Sequence, residues 1–381
     1  MTRQRRNRRG GIESRWHKTV YEMGPDGQKT KKQVKSARYG IGKRWLARYV
    51  DDHGNEHTKS FDRKVDAQHW LDGQMSTLVH GNHVAPSAGR ELIRDAGKRW
   101  LESQGDLKET TDSSRRFTWH IHVEPYWGSL AIRDVRESDV KAWIADMVRT
   151  GVGAPTIEKA AGVLRMIMET AVEDQQRAHN PCAGVKLPRP LHKRRGYLTH
   201  DQVEQLAKEV HQNPTLIRFL AYTGLRWGEM AALKGASFDV PRRRVMILDA
   251  VAEVSGRLVW SSTKGHTRRS VVLPRFLADE MEPIIRGAGY DSLVFRTAQG
   301  APLRGNNYRK RVFAPAVKRA QIAAKEARAE EFRHGGGVVT PEFPNVTPHD
   351  LRHTEVSLAI SAGANVKAVR RWSGTSPPRS P

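Results

Sequence analysis

The 381 residues carry 65 Lys and Arg against 41 Asp and Glu, a formal net charge of +24, and 38% are hydrophobic. That apolar share excludes a wholly disordered basic tail, and no run approaches the ~20 apolar residues a membrane span needs. The N-terminus is basic with no apolar segment behind it, which excludes a secretory signal, and one cysteine, Cys182, excludes an internal disulfide framework and a Cys-rich zinc module. A reducing, intracellular setting is expected. The charge surplus points to a polyanion, because each neutralised phosphate releases counterions, whereas a solubility surface needs only ~2–8 charges on a small domain. Nucleic acid is therefore the expected partner. Length predicts two or three domains at ~150 residues each.

Arg5, Arg6, Arg8 and Arg9 read as a flexible arm able to lie along DNA, or otherwise as a solvated tail. Residues 44–50, from Arg44 to Val50, alternate like a strand. Asp52-His53-Gly54-Asn55 is turn material, and Glu56 to Phe61 can return as a second strand. From Lys64 a helix is predicted with Ala67, Leu71, Met75 and Leu78 on one face. The first 88 residues thus read as a small basic sheet on one helix, ended by Pro86-Ser87-Ala88-Gly89.

Residues 90–180 read as all-helical. Val140, Trp143, Ile144 and Met147 make one apolar stripe. Ile157, Ala160, Ala161, Leu164 and Met168 make another behind a helix-starting Pro155. Both are core stripes before they are anything else. Pro188, Pro190, Lys193, Arg194 and Arg195 form a Pro-rich basic linker that can also touch phosphates. Thr199-His200-Asp201-Gln202 is a capping-box pattern. A helix is expected from Thr215 to Tyr222, broken by Gly224, and another from Arg226 to Leu233. Between Arg243 and Pro274 the pattern changes to short β runs with Ser255-Gly256 as a hairpin turn, and helices return after Leu293 with a Gly-rich break at residues 335–337.

Three motifs carry the chemistry in order: Thr223-Gly224-Leu225-Arg226-Trp227-Gly228-Glu229, Thr263-Lys264-Gly265-His266-Thr267-Arg268-Arg269, and His349-Asp350-Leu351-Arg352-His353-Thr354. Phosphoryl transfer develops charge on non-bridging oxygens, and a planar guanidinium meets two of them at once. Two arginines from distant segments can make such a clamp without a metal. A lysine on a turn is a mobile proton donor. His349 and Arg352, three apart, are expected on one helix face. The bland readings make Arg226 a helix-end surface charge and Lys264 a surface lysine. His349 and His353 also resemble the zincin pair HExxH, but the acidic residue is Asp and no clear third ligand follows.

Taken together, the motifs resemble those of the tyrosine recombinases, the family of phage integrases, and in particular those of actinobacterial phages and mobile elements. The resemblance implies an α+β multidomain fold: a sheet-plus-helix arm-binding domain (1–88), an all-helical core-binding domain with a basic linker (89–190), and a mainly helical catalytic domain with a small antiparallel sheet (191–381). It implies that Arg226 and Arg352 clamp the scissile phosphate, that Lys264 protonates the leaving 5′-hydroxyl, that His349 is the histidine of the HxxR motif, and that Glu229 supports the site. Arg44 and Arg268 join the arm and linker arginines as expected DNA contacts. The implied activity is site-specific recombination of attachment-site DNA by a tetramer, with no metal and no cofactor, in the bacterial cytoplasm beside the nucleoid, with room for an accessory DNA-bending protein.

The resemblance also calls for a nucleophilic tyrosine near the C-terminus. None of the eight tyrosines follows Arg352. Val366 to Arg371 read as an amphipathic helix, and Trp372 to Pro381 carry three prolines that do not continue it. With GC-rich codons and one base removed before Trp372, the last ten residues arise from a frame reading Val-Gly-His-Val-Ala-Ala-Ala-Ile-Thr-Leu, which restores the Gly-His pair the family carries. The expectation is a chain that binds DNA but does not cleave it, and Tyr308 is not expected to serve as a substitute nucleophile. The alternative is a non-catalytic DNA-binding protein, or a dominant-negative remnant, that occupies attachment sites.

Overall fold

The computed structural model describes residues 10–23, 28–52, 54–80, 83–85, 87–105, 107–190, 196–262, 269–335 and 337–365. The chain divides into two compact units, Met1–Leu191 and His192–Pro381.

The first unit opens with β1 (Gly11–Ser14), a ribbon of β2 (His17–Met23) and β3 (Lys29–Lys35), then β4 (Trp45–Val50), β5 (Glu56–Phe61) and α1 (Lys64–Val79). An antiparallel sheet runs in the order β1-β4-β5, with Ser14 opposite Trp45 and Trp45 opposite Phe61. The alternation in β4 buries Ala47 and Tyr49 and leaves Arg48 outside. Ala67 and Leu71 of α1 close this small core, with Met75 and Leu78 packed on its margin. The sheet-on-helix expectation holds, but the β2–β3 ribbon between β1 and β4 was not anticipated.

A separate, larger core follows in the same unit. It is enclosed by α2 (Ile93–Glu102), α3 (Glu109–Thr118), α4 (Glu124–Trp127), α5 (Glu137–Arg149) and α6 (Ala154–Glu173). Every residue of the two predicted stripes is buried in it, and Pro155 lies in the first turn of α6. Gly97 is needed here, because a Cβ would lie 2.2 Å from the Trp119 ring. Arg177 ties the far edge by donating to the carbonyls of Ile132 (2.7 Å) and Val135 (3.1 Å).

The second unit contains α7 (His200–Glu209), α8 (Pro214–Thr223), α9 (Trp227–Ala231), β6 (Phe238–Asp239), β7 (Arg244–Ile247), β8 (Asp249–Val254), β9 (Arg257–Ser262), β10 (Arg269–Val272), α10 (Arg275–Ala288), α11 (Gly305–Tyr308), α12 (Ala314–Arg333) and α13 (Leu351–Ser361). The predicted capping box is present: the Thr199 hydroxyl accepts the Gln202 N–H (3.3 Å), and Gln202 Oε1 accepts the Thr199 N–H (3.1 Å). One antiparallel sheet runs β10-β7-β6, and β8 and β9 form a hairpin. Its turn uses Ser255 and Gly256, both left-handed, as a two-residue turn between twisted strands requires. Leu216 and Phe219 of α8 share one core with Leu351 and Leu358 of α13. The helix expected over 226–233 is only the short α9. Among the described residues no helix is long and apolar enough to cross a membrane, and no group of His, Cys, Asp and Glu could hold a metal ion.

Candidate active site

The site grows from the end of α8. Gly224 takes the left-handed conformation (φ +61°) that stops the helix, and Leu225 is buried beneath the turn. Arg226 then stands in extended conformation as the N-cap of α9. Its main-chain N–H donates to Glu229 Oε2 (2.9 Å), and its Nη1 donates to Glu229 Oε1 (2.9 Å). Glu229 is 2% exposed. From the start of β10, Arg269 grips the same carboxylate with both guanidinium arms, Nη2 to Oε2 at 2.6 Å and Nη1 to Oε1 at 3.1 Å. Burial would raise the Glu229 pKa, but the hydrogen bonds from Arg269 and Arg226 outweigh it and hold the carboxyl below its usual range.

Arg352 enters from the first turn of α13. It is 5% exposed, and its Nη1 donates to the Gly224 carbonyl. Burial, and next the nearby positive charge of Arg226, push its pKa down. The structure therefore brings together Arg226, Glu229 and Arg352 from two distant motifs. Arg226 keeps 42% of its side chain exposed while Arg352 is enclosed, so the pair offers one outward and one anchored guanidinium.

His349 departs from expectation. The helix begins at Leu351, and His349 stands in the turn before it. That turn is set by Asp350, whose Oδ2 accepts the N–H (2.8 Å) and the hydroxyl (2.7 Å) of Thr347. Pro348 removes a donor from the same turn. The two residues are linked instead through the main chain, the Arg352 N–H donating to the His349 carbonyl (3.2 Å). The His349 ring meets His353 edge-on at 5.5 Å.

Arg44 is half-buried, its guanidinium 5.8 Å from the Trp16 ring and 4.9 Å from that of Trp45. Lys264, Arg268, Lys193, Arg194, Arg195, Arg5, Arg6, Arg8 and Arg9 lie outside the described residues, as does the stretch from Val366 to Pro381. Tyr308 is 7% exposed and packed on Trp227, with ring centroids 5.0 Å apart. Its hydroxyl has no hydrogen-bond partner among the described residues, and burial pushes its pKa up. A nucleophile needs the opposite environment.

Sequence reasoning missed two charged residues of the site. Arg269 was passed over for its neighbour Arg268, although Arg269 and Val271 share a strand face by period two, and Val271 is buried. Glu355 was not considered. It is 7% exposed, and its Oε2 has no hydrogen-bond partner among the described residues. It presses on Gly224, where a Cβ would lie 3.0 Å from Oε2. Burial raises its pKa, and Arg352 opposes that rise.

Residues 196–376 match the phage integrase family. The chain matches the phage integrase family through the segment that holds Arg226, Glu229, Arg269, His349 and Arg352. Beyond that segment, the similarity to integrases is nearly end to end. The prophage phiRv2 integrase of Mycobacterium tuberculosis H37Rv is 25% identical over 371 residues, covering 93% of this chain and 92% of the relative. The integrase of Mycobacterium phage L5 is 25% identical and covers 84% of each chain. Among solved structures, the Tn1549 transposon integrase in complex with circular intermediate DNA superposes with TM-score 0.62 at 20% identity, over 75% of this chain and 92% of that one. A lambda integrase tetramer bound to a Holliday junction gives TM-score 0.58 at 14% identity, over 88% and 95%. At these identities the structures establish a shared fold.

Proposed function

We propose that this chain binds the attachment-site DNA of a mobile element and derives from a site-specific tyrosine recombinase. The observation that carries the reading is the meeting of Arg226 and Arg352 around the Gly224 turn, with Glu229 and Arg269 beside them. In this reading Arg226 and Arg352 hold the non-bridging oxygens of one phosphate, where a planar guanidinium can engage two oxygens at once. Glu229 positions Arg226 by holding its main chain and its guanidinium together. Lys264 is the proton donor for the 5′-oxygen that would leave if a tyrosine hydroxyl attacked the phosphorus, and His349 supports the phosphate from the turn before α13. Lambda integrase is seen as a tetramer bound to a Holliday junction and as a dimer bound to a core site, and the same assembly is proposed here. Residues 1–88 take arm-type DNA, 89–190 the core site and 191–381 the phosphate, with Arg5, Arg6, Arg8, Arg9, Arg44, Lys193, Arg194, Arg195 and Arg268 along the backbone.

These 381 residues hold no tyrosine after Arg352. Without an attacking hydroxyl, the clamp polarises a phosphate but forms no 3′-phosphotyrosyl bond. The 381-residue polypeptide is therefore expected to bind duplex DNA spanning the boundary of its own element. It should leave no detergent-resistant protein–DNA adduct on a nicked duplex. Arg226→Gln with Arg352→Gln should weaken binding to that duplex. Unchanged binding would sink the phosphate clamp, and a covalent adduct would overturn the non-cleaving reading. Sequencing the gene onward from the Arg370 codon tests the shifted frame directly.

A further inference from the structure

The ribbon between β1 and β4 is not used by the fold. Ser14 and Trp45 are partners across β1 and β4, and the Arg15 N–H donates to the Arg44 carbonyl (2.7 Å), so the two ends of the insertion are neighbours. No residue of β2 or β3 is buried, and none joins the small core. A two-stranded ribbon alone is marginal in water. Here its base is held by rings: Tyr39 meets Trp16 at 6.0 Å and His17 at 5.3 Å, Lys35 lies 4.3 Å from the Tyr39 ring, and Trp16 Nε1 donates to the Gly42 carbonyl (3.2 Å).

The two faces of the ribbon differ. The register pairs His17 with Lys35, Thr19 with Gln33, Tyr21 with Lys31 and Met23 with Lys29. That face holds three lysines and no acid. All of it but His17 is exposed, with Tyr21 at 59% and Met23 at 68%. The opposite face carries the half-buried Val20 and Val34 and, among the described residues, the ribbon's only ion pair, Lys32 with Glu22 at 3.2 Å. Between residues 15 and 43 there are eight Lys and Arg against two acids. Like charges lined up on one face repel, and among the described residues no carboxylate shares this face, so the lysine row is stabilised where an anion meets it.

We infer that the Lys29–Lys31–Lys35 face of this ribbon is a second, separate duplex-DNA contact of the first unit, seated in a major groove. The major groove, about 12 Å wide, admits a two-stranded ribbon without distortion, whereas the minor groove, about 6 Å wide, must be widened to do so. Side chains two apart on a strand step by about 6.8 Å, so the row follows a phosphate backbone. Gln33 and Thr19, paired between the lysines, supply both donors and acceptors to base edges. This inference rests on the DNA-binding reading above.

The test is a salt titration of the full chain on a mixed-sequence fluorescent duplex, comparing wild type, Lys29→Gln/Lys31→Gln/Lys35→Gln, and the opposite-face control Lys18→Gln/Lys32→Gln. Each phosphate contact contributes about 0.9 to the slope of log affinity against log salt, so the triple variant should lose about 2.7 from that slope. Between about 50 and 200 mM salt, wild type should therefore lose about 40-fold more affinity than the triple variant does. The control should move the slope by less than half as much, and circular dichroism should be the same for all three. If wild type binds and the triple variant keeps its slope, the ribbon is not a DNA contact while the DNA-binding reading stands. Equal losses in both variants, or equal competition by polyglutamate, would reduce the ribbon to diffuse charge and overturn the groove assignment. A wild type that binds no duplex at all would remove both readings.

Discussion

Glu229 is the residue on which the charge arrangement depends. Replacing it with alanine removes four hydrogen bonds, two from Arg226 and two from Arg269, and leaves like charges facing one another beside the buried Arg352. Removing one partner of a buried ion pair costs about 3–5 kcal/mol. Arg269 keeps a quarter of its side chain exposed and Arg226 more, so water recovers part of the loss, and about 3 kcal/mol is expected. At about 2–4 °C per kcal/mol, the melting temperature of the second unit should fall by about 6–12 °C. The assay is a double-mutant cycle of Glu229→Ala with Arg269→Ala, followed by thermal melting. Because the two side chains share one buried contact, the double variant should be less destabilised than the sum of the singles by about 2 kcal/mol. The pH dependence gives a second reading. The folded carboxyl sits below its ordinary value of 4.5, so its contribution is complete above that value and fades as pH falls through the lower folded one. The gap between wild type and Glu229→Gln should therefore close in acid. Additive single variants, or a gap independent of pH, would refute the argument.

Gly224→Ala should cost about 1–2 kcal/mol, because the left-handed backbone penalises a Cβ. The new methyl would also lie 3.0 Å from Glu355 Oε2, so chemical denaturation should show the loss and Glu355→Ala should relieve part of it. Glu355→Gln should stabilise the chain at pH 7 by about 1–2 kcal/mol, since the folded carboxyl titrates above its ordinary value of 4.5 and its ionisation costs stability as pH rises through the folded value. That gain should vanish toward pH 4, and a loss at pH 7 would mean that Glu355 pairs productively with Arg352. Cys182 is buried, and burial pushes its thiol up to about 12. A thiol reagent should leave it untouched in the folded chain and modify it on denaturation, whereas reaction in the native state would show an opening of the helical core.

Much of the scaffold was legible because it follows hydrophobic period and backbone punctuation. The stripes of α5 and α6, the Thr199 cap, the stop at Gly224 and the Ser255-Gly256 turn each rest on a local rule that packing does not contradict. The β2–β3 ribbon is illegible for a physical reason: no residue of either face is fully buried, so a strand such as Lys-Thr-Lys-Lys-Gln-Val-Lys carries no apolar alternation. The arginines that meet at the Gly224 turn stand out by motif, but the residues that hold them do not. Arg269 reads as one more basic residue of a basic turn until the register of β10 places it on the inward face with Val271.

The helix α13 shows why the site resists period arguments most strongly. Its buried residues include Arg352, Thr354 and Glu355 between Leu351 and Leu358. A hydrophobicity pattern reads this as a weak amphipathic helix, although only the apolar pair at its margins packs as a core stripe would. Each buried polar group needs its own partner: Arg352 donates to the Gly224 carbonyl, and the Thr354 hydroxyl donates to the Asp350 carbonyl (3.1 Å) and accepts the Leu198 N–H (3.1 Å). Among the described residues Glu355 Oε2 is the one fully buried side-chain atom of the three without a hydrogen-bond partner, and it lies beside the turn that positions Arg226. The helix is thus held by contacts to chain segments more than a hundred residues away, and Arg352 braces the Gly224 turn that leads into Arg226. Local sequence rules fail here because the buried face is committed to polar and charged groups that only distant segments can satisfy.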